Sequence, residues 1–194
     1  MPLILTILVG YLLGSIPFGL LLARANGIDL RSVGSGNIGA TNVLRTGDKR
    51  LAAATLLLDA GKGALAVWLA MRFGDASAIP VAAGAAAFVG HVFPVWLKFR
   101  GGKGVATLLG VTLAVLPVAA LVFGVVWLAV AVVTRLSSLG GMLAAIAVPA
   151  TAWGAGRLDL VPWLAGMVVL LLIMHRENIG RLRAGTESRI GAKP

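Results

Sequence analysis

The sequence predicts an all-α integral membrane protein. It reads as a single polytopic domain over residues 1–194 with seven transmembrane helices, its N-terminus outside and its C-terminus in the cytoplasm. Three observations carry that reading. Hydrophobic residues make up 59% of the chain and charged residues only 12%, whereas about a quarter of a soluble domain is charged. The mean hydropathy is +0.97, and since each spanning helix needs about 20 apolar residues, the chain has room for spans and little else. The basic residues also gather in alternate loops, as the positive-inside rule requires.

The spans follow in order. Met1 to about Ala25 is apolar, with no basic residue before it and no cleavage site, so it reads as a retained span and not a signal peptide. A polar, glycine-rich loop from Asn26 to Arg50 leads into a second span, Leu51 to about Phe73, interrupted by Asp59 and Lys62; a third runs from about Ile79 to Leu97. After a basic turn, Lys98-Phe99-Arg100-Gly101-Gly102-Lys103-Gly104, the chain is apolar from Val105 to Val133. As one helix that stretch would be about 44 Å long, too long for a single comfortable span. A turn near Pro117 makes it two short helices, and runs at about Leu139 to Trp153 and Leu160 to Met174 complete the set. With this parity the basic clusters at Arg24 to Arg50, Lys98 to Lys103, Arg135 and the tail (Arg176, Arg181, Arg183, Arg189, Lys193) share the cytoplasmic side. Only Arg72 and Arg157 lie outside. Trp96, Trp153 and Trp163 fall near span ends, where tryptophan anchors helices at the interface.

Composition also excludes several chemistries. The net charge of +10 would suggest a nucleic-acid partner in a soluble chain; in a membrane protein it is the positive-inside bias, and no nucleic acid is expected. The absence of cysteine rules out disulfides, zinc–thiolate sites and an acyl-cysteine intermediate. Seven scattered acidic residues offer no carboxylate cage, so neither a metal nor another cofactor is expected.

Three polar segments on the predicted cytoplasmic side could carry chemistry. The loop Ser35-Gly36-Asn37-Ile38-Gly39-Ala40-Thr41-Asn42, followed by Arg45, combines small residues that allow close backbone approach with amide, hydroxyl and guanidinium donors suited to a phosphate. Against this stands a plain flexible connector. Gly101-Gly102-Lys103-Gly104 places a lysine between glycines at a helix start, where backbone amides favour an anion; alone it would pass for a positive-inside turn. In His175-Arg176-Glu177-Asn178-Ile179-Gly180-Arg181, His175 and Asn178 are three residues apart and point the same way on a helix. Convergence of the three segments outlines an anionic pocket at the membrane surface. Asp59 and Lys62, also three apart, read as an intramembrane ion pair that fixes helix packing. His91 reads as a packing histidine, and Ser137 and Ser138 as helix-capping residues or ligand contacts.

The segments Gly14-Ser15-Ile16-Pro17-Phe18-Gly19, Gly36-Asn37-Ile38-Gly39-Ala40-Thr41-Asn42, Asp59-Ala60-Gly61-Lys62-Gly63, Gly90-His91-Val92-Phe93-Pro94, Gly101-Gly102-Lys103-Gly104-Val105 and His175-Arg176-Glu177-Asn178-Ile179 together resemble the bacterial membrane-integral acyl-phosphate:glycerol-3-phosphate acyltransferases, the PlsY family. The resemblance runs in order along nearly the whole chain. It implies a multi-pass protein of the bacterial inner membrane, with its active site facing the cytoplasm. The implied reaction moves a fatty acyl group from acyl phosphate to the 1-hydroxyl of glycerol 3-phosphate, giving lysophosphatidic acid and phosphate, the first step of phospholipid synthesis.

On that reading Lys103, His175 and Asn178 are the catalytic residues. Ser35, Gly36, Asn37, Gly39, Ala40, Thr41, Asn42, Arg45, Gly101, Gly102 and Ser138 bind substrate, and Ser137 competes with Ser138 for the polyol contact. The proton acceptor is either His175, since an imidazole's unperturbed pKa lies near 6.5, or a substrate phosphate oxygen, which the resemblance favours. Transfer is direct, with no acyl-enzyme, and no obligate protein partner is implied beyond membrane lipid. The competing reading is a small transporter of a phosphorylated metabolite. No inverted repeat is present, polar pore-lining residues are few, and the binding groups cluster on one face and not at the midplane, all of which count against it.

Overall fold

The computed structural model describes residues 1–74 and 79–191; Lys193 of the predicted basic tail lies outside them. Among the described residues every regular element is helical. The chain divides into two compact units, Met1–Val115 and residues 116–191.

In the first unit, α1 (Leu3–Gly14) and α2 (Phe18–Ala25) together make up the span expected from Met1 to Ala25, with a break between them. The break has a covalent cause. Pro17 has no N–H to donate into a continuing helix, so the chain re-starts after it. A short α3 (Ala40–Leu44) follows the polar loop, and α4 (Lys49–Phe73) begins where the Asp48 carboxylate accepts hydrogen bonds from the Arg50 and Leu51 amides at 2.8 and 2.9 Å, an N-cap. Then come α5 (Ile79–Val92), a 3₁₀ turn (Val95–Leu97) and α6 (Val105–Val115).

Helix contacts in this unit run through small residues, the rule where lipid removes a hydrophobic drive for helix association. A Cβ built on Gly10 would lie 2.5 Å from the Ala83 carbonyl oxygen, and one on Gly14 1.9 Å from that of Ala87, so α1 and α5 meet backbone to backbone. Gly63 and Gly110 do the same for α4 and α6, against the Thr107 and Ala60 carbonyls. Replacing Gly14 by valine is therefore expected to force α1 off α5. The cost should be at least the ~1–3 kcal/mol typical of overpacking, read as a lower melting temperature in detergent, whereas Gly61→Ala, which meets nothing within 4 Å, should leave it unchanged.

In the second unit, α7 (Pro117–Thr134) starts with one residue, Leu116, between it and α6 and with Pro117 at its first position, so the apolar stretch from Val105 breaks at the proline that the sequence singles out. It is followed by α8 (Ser137–Gly154), α9 (Val161–Met174) and α10 (Arg176–Arg183). α9 and α10 meet at a 57° bend centred on His175.

Among the described residues four helical segments are long and apolar enough to cross a membrane: Leu3–Ala25, Lys49–Phe73, Pro80–Leu97 and Pro117–Thr134. A fifth is reached if the bent α9–α10 pair counts as one, and α6 is apolar but shorter. Their outward faces are greasy. Ile4, Leu57, Leu121 and Val133 are each more than two-thirds exposed, a surface that fits hydrocarbon and not water. The chain is a multi-pass membrane protein.

Candidate active site

In the first unit the polar loop folds around one carboxamide. Asn42 is buried; its Nδ2 donates to the Leu30 and Val33 carbonyls at 3.2 and 3.0 Å, while its Oδ1 accepts from the Ser35 amide at 3.1 Å and the Ser35 hydroxyl at 3.4 Å. The side chain therefore ties both ends of the loop together. Asn37 takes the Gly39 amide on its Oδ1 at 2.9 Å, an Asx turn that sets up the start of α3, where Ala40 and the exposed Thr41 stand. Gly34 and Gly36 have φ of +52° and +64°, left-handed values that residues with a Cβ rarely adopt. The Arg45 guanidinium lies against Gly34, where a Cβ would be 2.8 Å from its Nη1.

Arg31 joins this loop to the second glycine segment. Its Nη1 donates to the Gly36 carbonyl at 3.2 Å and its Nη2 to that of Arg100 at 2.6 Å. The two loops singled out from the sequence are thus held side by side, and the residue that does so was not among the expected site residues. The Gly101-Gly102-Lys103-Gly104 turn is anchored from beneath as well. Gly101 and Gly102 donate to the Val92 and His91 carbonyls, each at 3.0 Å. Gly104, at φ +88°, is packed so closely on Phe88 that a Cβ would come within 2.1 Å of the ring. Lys103, half-buried, leads into α6.

The second unit holds the other expected residues. His175 is 3% exposed and its Nδ1 is 2.8 Å from the Leu171 carbonyl oxygen. A carbonyl only accepts, so Nδ1 carries the hydrogen, and in the neutral ring the lone pair then sits on Nε2. Asn178, also buried, lies in the first turn of α10. Ser137 and Ser138 open α8 after Leu136, the N-cap residue, whose own side chain makes no cap bond; Ser138 donates to Glu187 at 2.6 Å.

Glu187, like Arg31, is a residue that sequence reasoning missed. Its carboxylate accepts from Ser138 Oγ at 2.6 Å, Asn178 Nδ2 at 2.6 Å and Arg181 Nε at 2.7 Å, with only 4% of the side chain exposed. The tail is fastened further by Arg135, which donates from Nη2 to the Ile190 carbonyl at 2.9 Å and accepts from the Ile190 amide at 2.7 Å. The available signal was one of two acids, with Glu177, in a basic tail.

Burial raises the Glu187 pKa, but the bonds from Ser138, Asn178 and Arg181 outweigh it and hold the carboxyl below its ordinary value of 4.5. A folded-state pKa below the unfolded one means that the contact's stabilisation is complete above about pH 4.5 and is lost as pH falls through the lowered value. Acidification below pH 4.5 should therefore release residues 186–191, seen as amide exchange there with lower protection factors. Glu187→Gln should show that exchange at neutral pH, with little further change on acidification.

Among the described residues no three His, Asp or Glu side chains gather as metal ligands would. The Asp59–Lys62 pair is present, with Nζ 2.7 Å from Oδ1 and both side chains almost fully buried. His91 joins it, Nδ1 lying 3.6 Å from the same carboxylate oxygen.

Comparison with known proteins gives the family. The family model for glycerol-3-phosphate acyltransferase matches residues 4–185. A glycerol-3-phosphate acyltransferase of Rhodopseudomonas palustris (strain BisB5) is 59% identical over 191 residues, 98% of this chain and 97% of the relative. One from Rhizobium meliloti (strain 1021) is 57% identical over 185 residues, 95% of this chain and 90% of the relative. Among solved structures, the glycerol 3-phosphate form of PlsY (YgiH), an integral membrane glycerol 3-phosphate acyltransferase, is similar with a TM-score of 0.92 at 40% identity, covering 97% of this chain and 96% of that one. Its lysophosphatidic acid form gives 0.91 at 39% identity, covering 97% and 95%. On this similarity along its whole length, the chain belongs to the glycerol-3-phosphate acyltransferase family.

Proposed function

We propose that the chain transfers a fatty acyl group from acyl phosphate to the 1-hydroxyl of glycerol 3-phosphate, releasing lysophosphatidic acid and inorganic phosphate. One observation carries the reading. A protein of the same fold, 40% identical along nearly its full length, is found in a glycerol 3-phosphate form and in a lysophosphatidic acid form, and these two molecules differ by one acyl group. The family assignment favours acyl transfer over solute transport.

The residues have the chemistry the reaction needs. The glycerol hydroxyl oxygen attacks the carbonyl carbon; a C–O bond forms, and the electron pair of the carbonyl–phosphate bond leaves with phosphate. Negative charge develops on the carbonyl oxygen and the departing phosphate. Lys103, with Gly101, Gly102 and the loop from Ser35, Gly36, Asn37, Gly39, Ala40 and Thr41, holds the acyl-phosphate group and stabilises that charge. Asn42 contributes by holding the loop in shape. Arg45, Lys103, His175, Asn178 and Ser138 fix glycerol 3-phosphate. The hydroxyl proton goes to His175 Nε2 or to a phosphate oxygen. A mixed anhydride has a good leaving group, so positioning and electrostatics suffice, and no acyl-enzyme or cofactor is needed.

The reading of residues 1–194 as a single acyltransferase domain is supported by the family model's match over residues 4–185. Placement in the bacterial inner membrane with seven spans, N-terminus outside, and the site at the cytoplasmic face follows from the segregation of basic residues. The test is an assay of purified protein in lipid with labelled glycerol 3-phosphate and either palmitoyl phosphate or palmitoyl-CoA. Lysophosphatidic acid formed from palmitoyl phosphate alone is expected. Equal product from the thioester would overturn the donor assignment, and no product from either, in folded protein, would overturn the function.

A further inference from the structure

The buried charges of α4 are not isolated from the second glycine turn. Asp59 Oδ1 receives Lys62 Nζ at 2.7 Å and faces His91 Nδ1 at 3.6 Å, with all three side chains no more than 4% exposed. Lys62 reaches on to the break between α1 and α2, donating to the Ile16 carbonyl at 2.8 Å with its Nζ 5.7 Å from the centre of the Phe18 ring. Ionisable groups inside a span are costly. A lysine capping one freed carbonyl accounts for Lys62 and its counter-ion but not for a histidine on a different helix.

The far side of that histidine is occupied. A Cβ on Gly102 would lie 2.1 Å from His91 Nε2, and one on Gly101 2.1 Å from the His91 carbonyl oxygen, which itself accepts the Gly102 amide at 3.0 Å. The imidazole is thus clamped between the Asp59 carboxylate and the backbone one residue before Lys103. The lead-in to the turn is rigid too, since Lys98 and Phe99 both hold left-handed φ, 52° and 61°, conformations that non-glycine residues keep only when the surroundings impose them.

We propose that Asp59, His91 and Lys62 form a positioning triad for the Gly101–Gly104 turn: the carboxylate sets the imidazole, the imidazole seats Gly102, and the turn aims Lys103 at the substrate phosphate. The proposal rests on Lys103 acting on substrate. Its residues touch no reacting atom; they act through the turn. A misplacement of about 1 Å at a reacting centre can cost 10²-fold in rate, so a buried clamp beneath the turn is where such precision would be built.

A double-mutant cycle separates this role from mere helix packing. Asp59→Asn, Lys103→Met and the pair are compared for kcat and melting temperature in detergent. Asp59→Asn is expected to lower kcat about 10- to 100-fold in the wild-type background and less than about threefold when Lys103 is already methionine, because coupled sites are not additive. Gly102→Ala, whose Cβ would meet His91 Nε2 at 2.1 Å without replacing either member of the ion pair, should also lower kcat, together with the melting temperature. Equal losses in both backgrounds, or full activity in Gly102→Ala, would overturn the positioning role. Wild-type turnover in Lys103→Met would instead overturn the assignment of Lys103, and the triad's role with it.

Discussion

Replacing Lys103 by methionine is expected to lower kcat by about 10²–10³-fold, the loss seen when one pre-organised donor to a developing charge is removed. The change keeps the length of the side chain and deletes only its charge and N–H donors. It leaves the turn's own anchors in place, since these are backbone bonds from Gly101 and Gly102 to the Val92 and His91 carbonyls. The turn should therefore stay in place, and the loss should appear as catalysis. Lys103→Arg is expected to recover only part of the rate, because a planar guanidinium cannot take the place of a compact ammonium between two glycines. Steady-state kinetics with palmitoyl phosphate, paired with melting temperatures, checks both. A methionine variant within threefold of wild type would remove Lys103 from the mechanism.

His175→Gln should have the second large effect, a loss of about 10²–10⁴-fold if the imidazole takes the hydroxyl proton. Glutamine keeps a polar group at the 57° elbow between α9 and α10 and can still donate to the Leu171 carbonyl that His175 Nδ1 now engages. What it lacks is the basic Nε2 lone pair. A loss of tenfold or less, with a raised KM for glycerol 3-phosphate, would instead show that His175 orients the substrate and that a phosphate oxygen accepts the proton. The experiment thus decides between the two acceptors that the residues leave open.

Much of the fold could be read from local signals. The apolar runs, the polar loop from Asn26 to Arg50 and the break at Pro117 reappear as helices, loop and a new helix start. The break at Pro17 was hidden by uniform hydropathy: Leu3–Ala25 still passes for one span by length and composition, and only the missing N–H of Pro17 interrupts it. The Asp59–Lys62 pair was legible because its spacing is intrahelical. The approach of His91 was not, since it depends on α4 and α5 packing together. The same holds for Arg31, whose value lies in reaching Gly36 and Arg100 at once, and for Glu187, which meets Asn178 and Ser138 only because the tail doubles back onto Arg135. Local spacing showed which residues could bind a phosphate, while tertiary contacts determine which residues hold them in place.

The central claim is direct transfer between two phosphate-bearing substrates held at the same time, with no covalent intermediate. Initial rates measured over a matrix of palmitoyl phosphate and glycerol 3-phosphate concentrations, with purified protein in lipid, test it most directly. Double-reciprocal lines that intersect, and no phosphate release without glycerol 3-phosphate, are the expected result. Parallel lines with a burst of phosphate from palmitoyl phosphate alone are the kinetic signature of an acyl-enzyme and would contradict it.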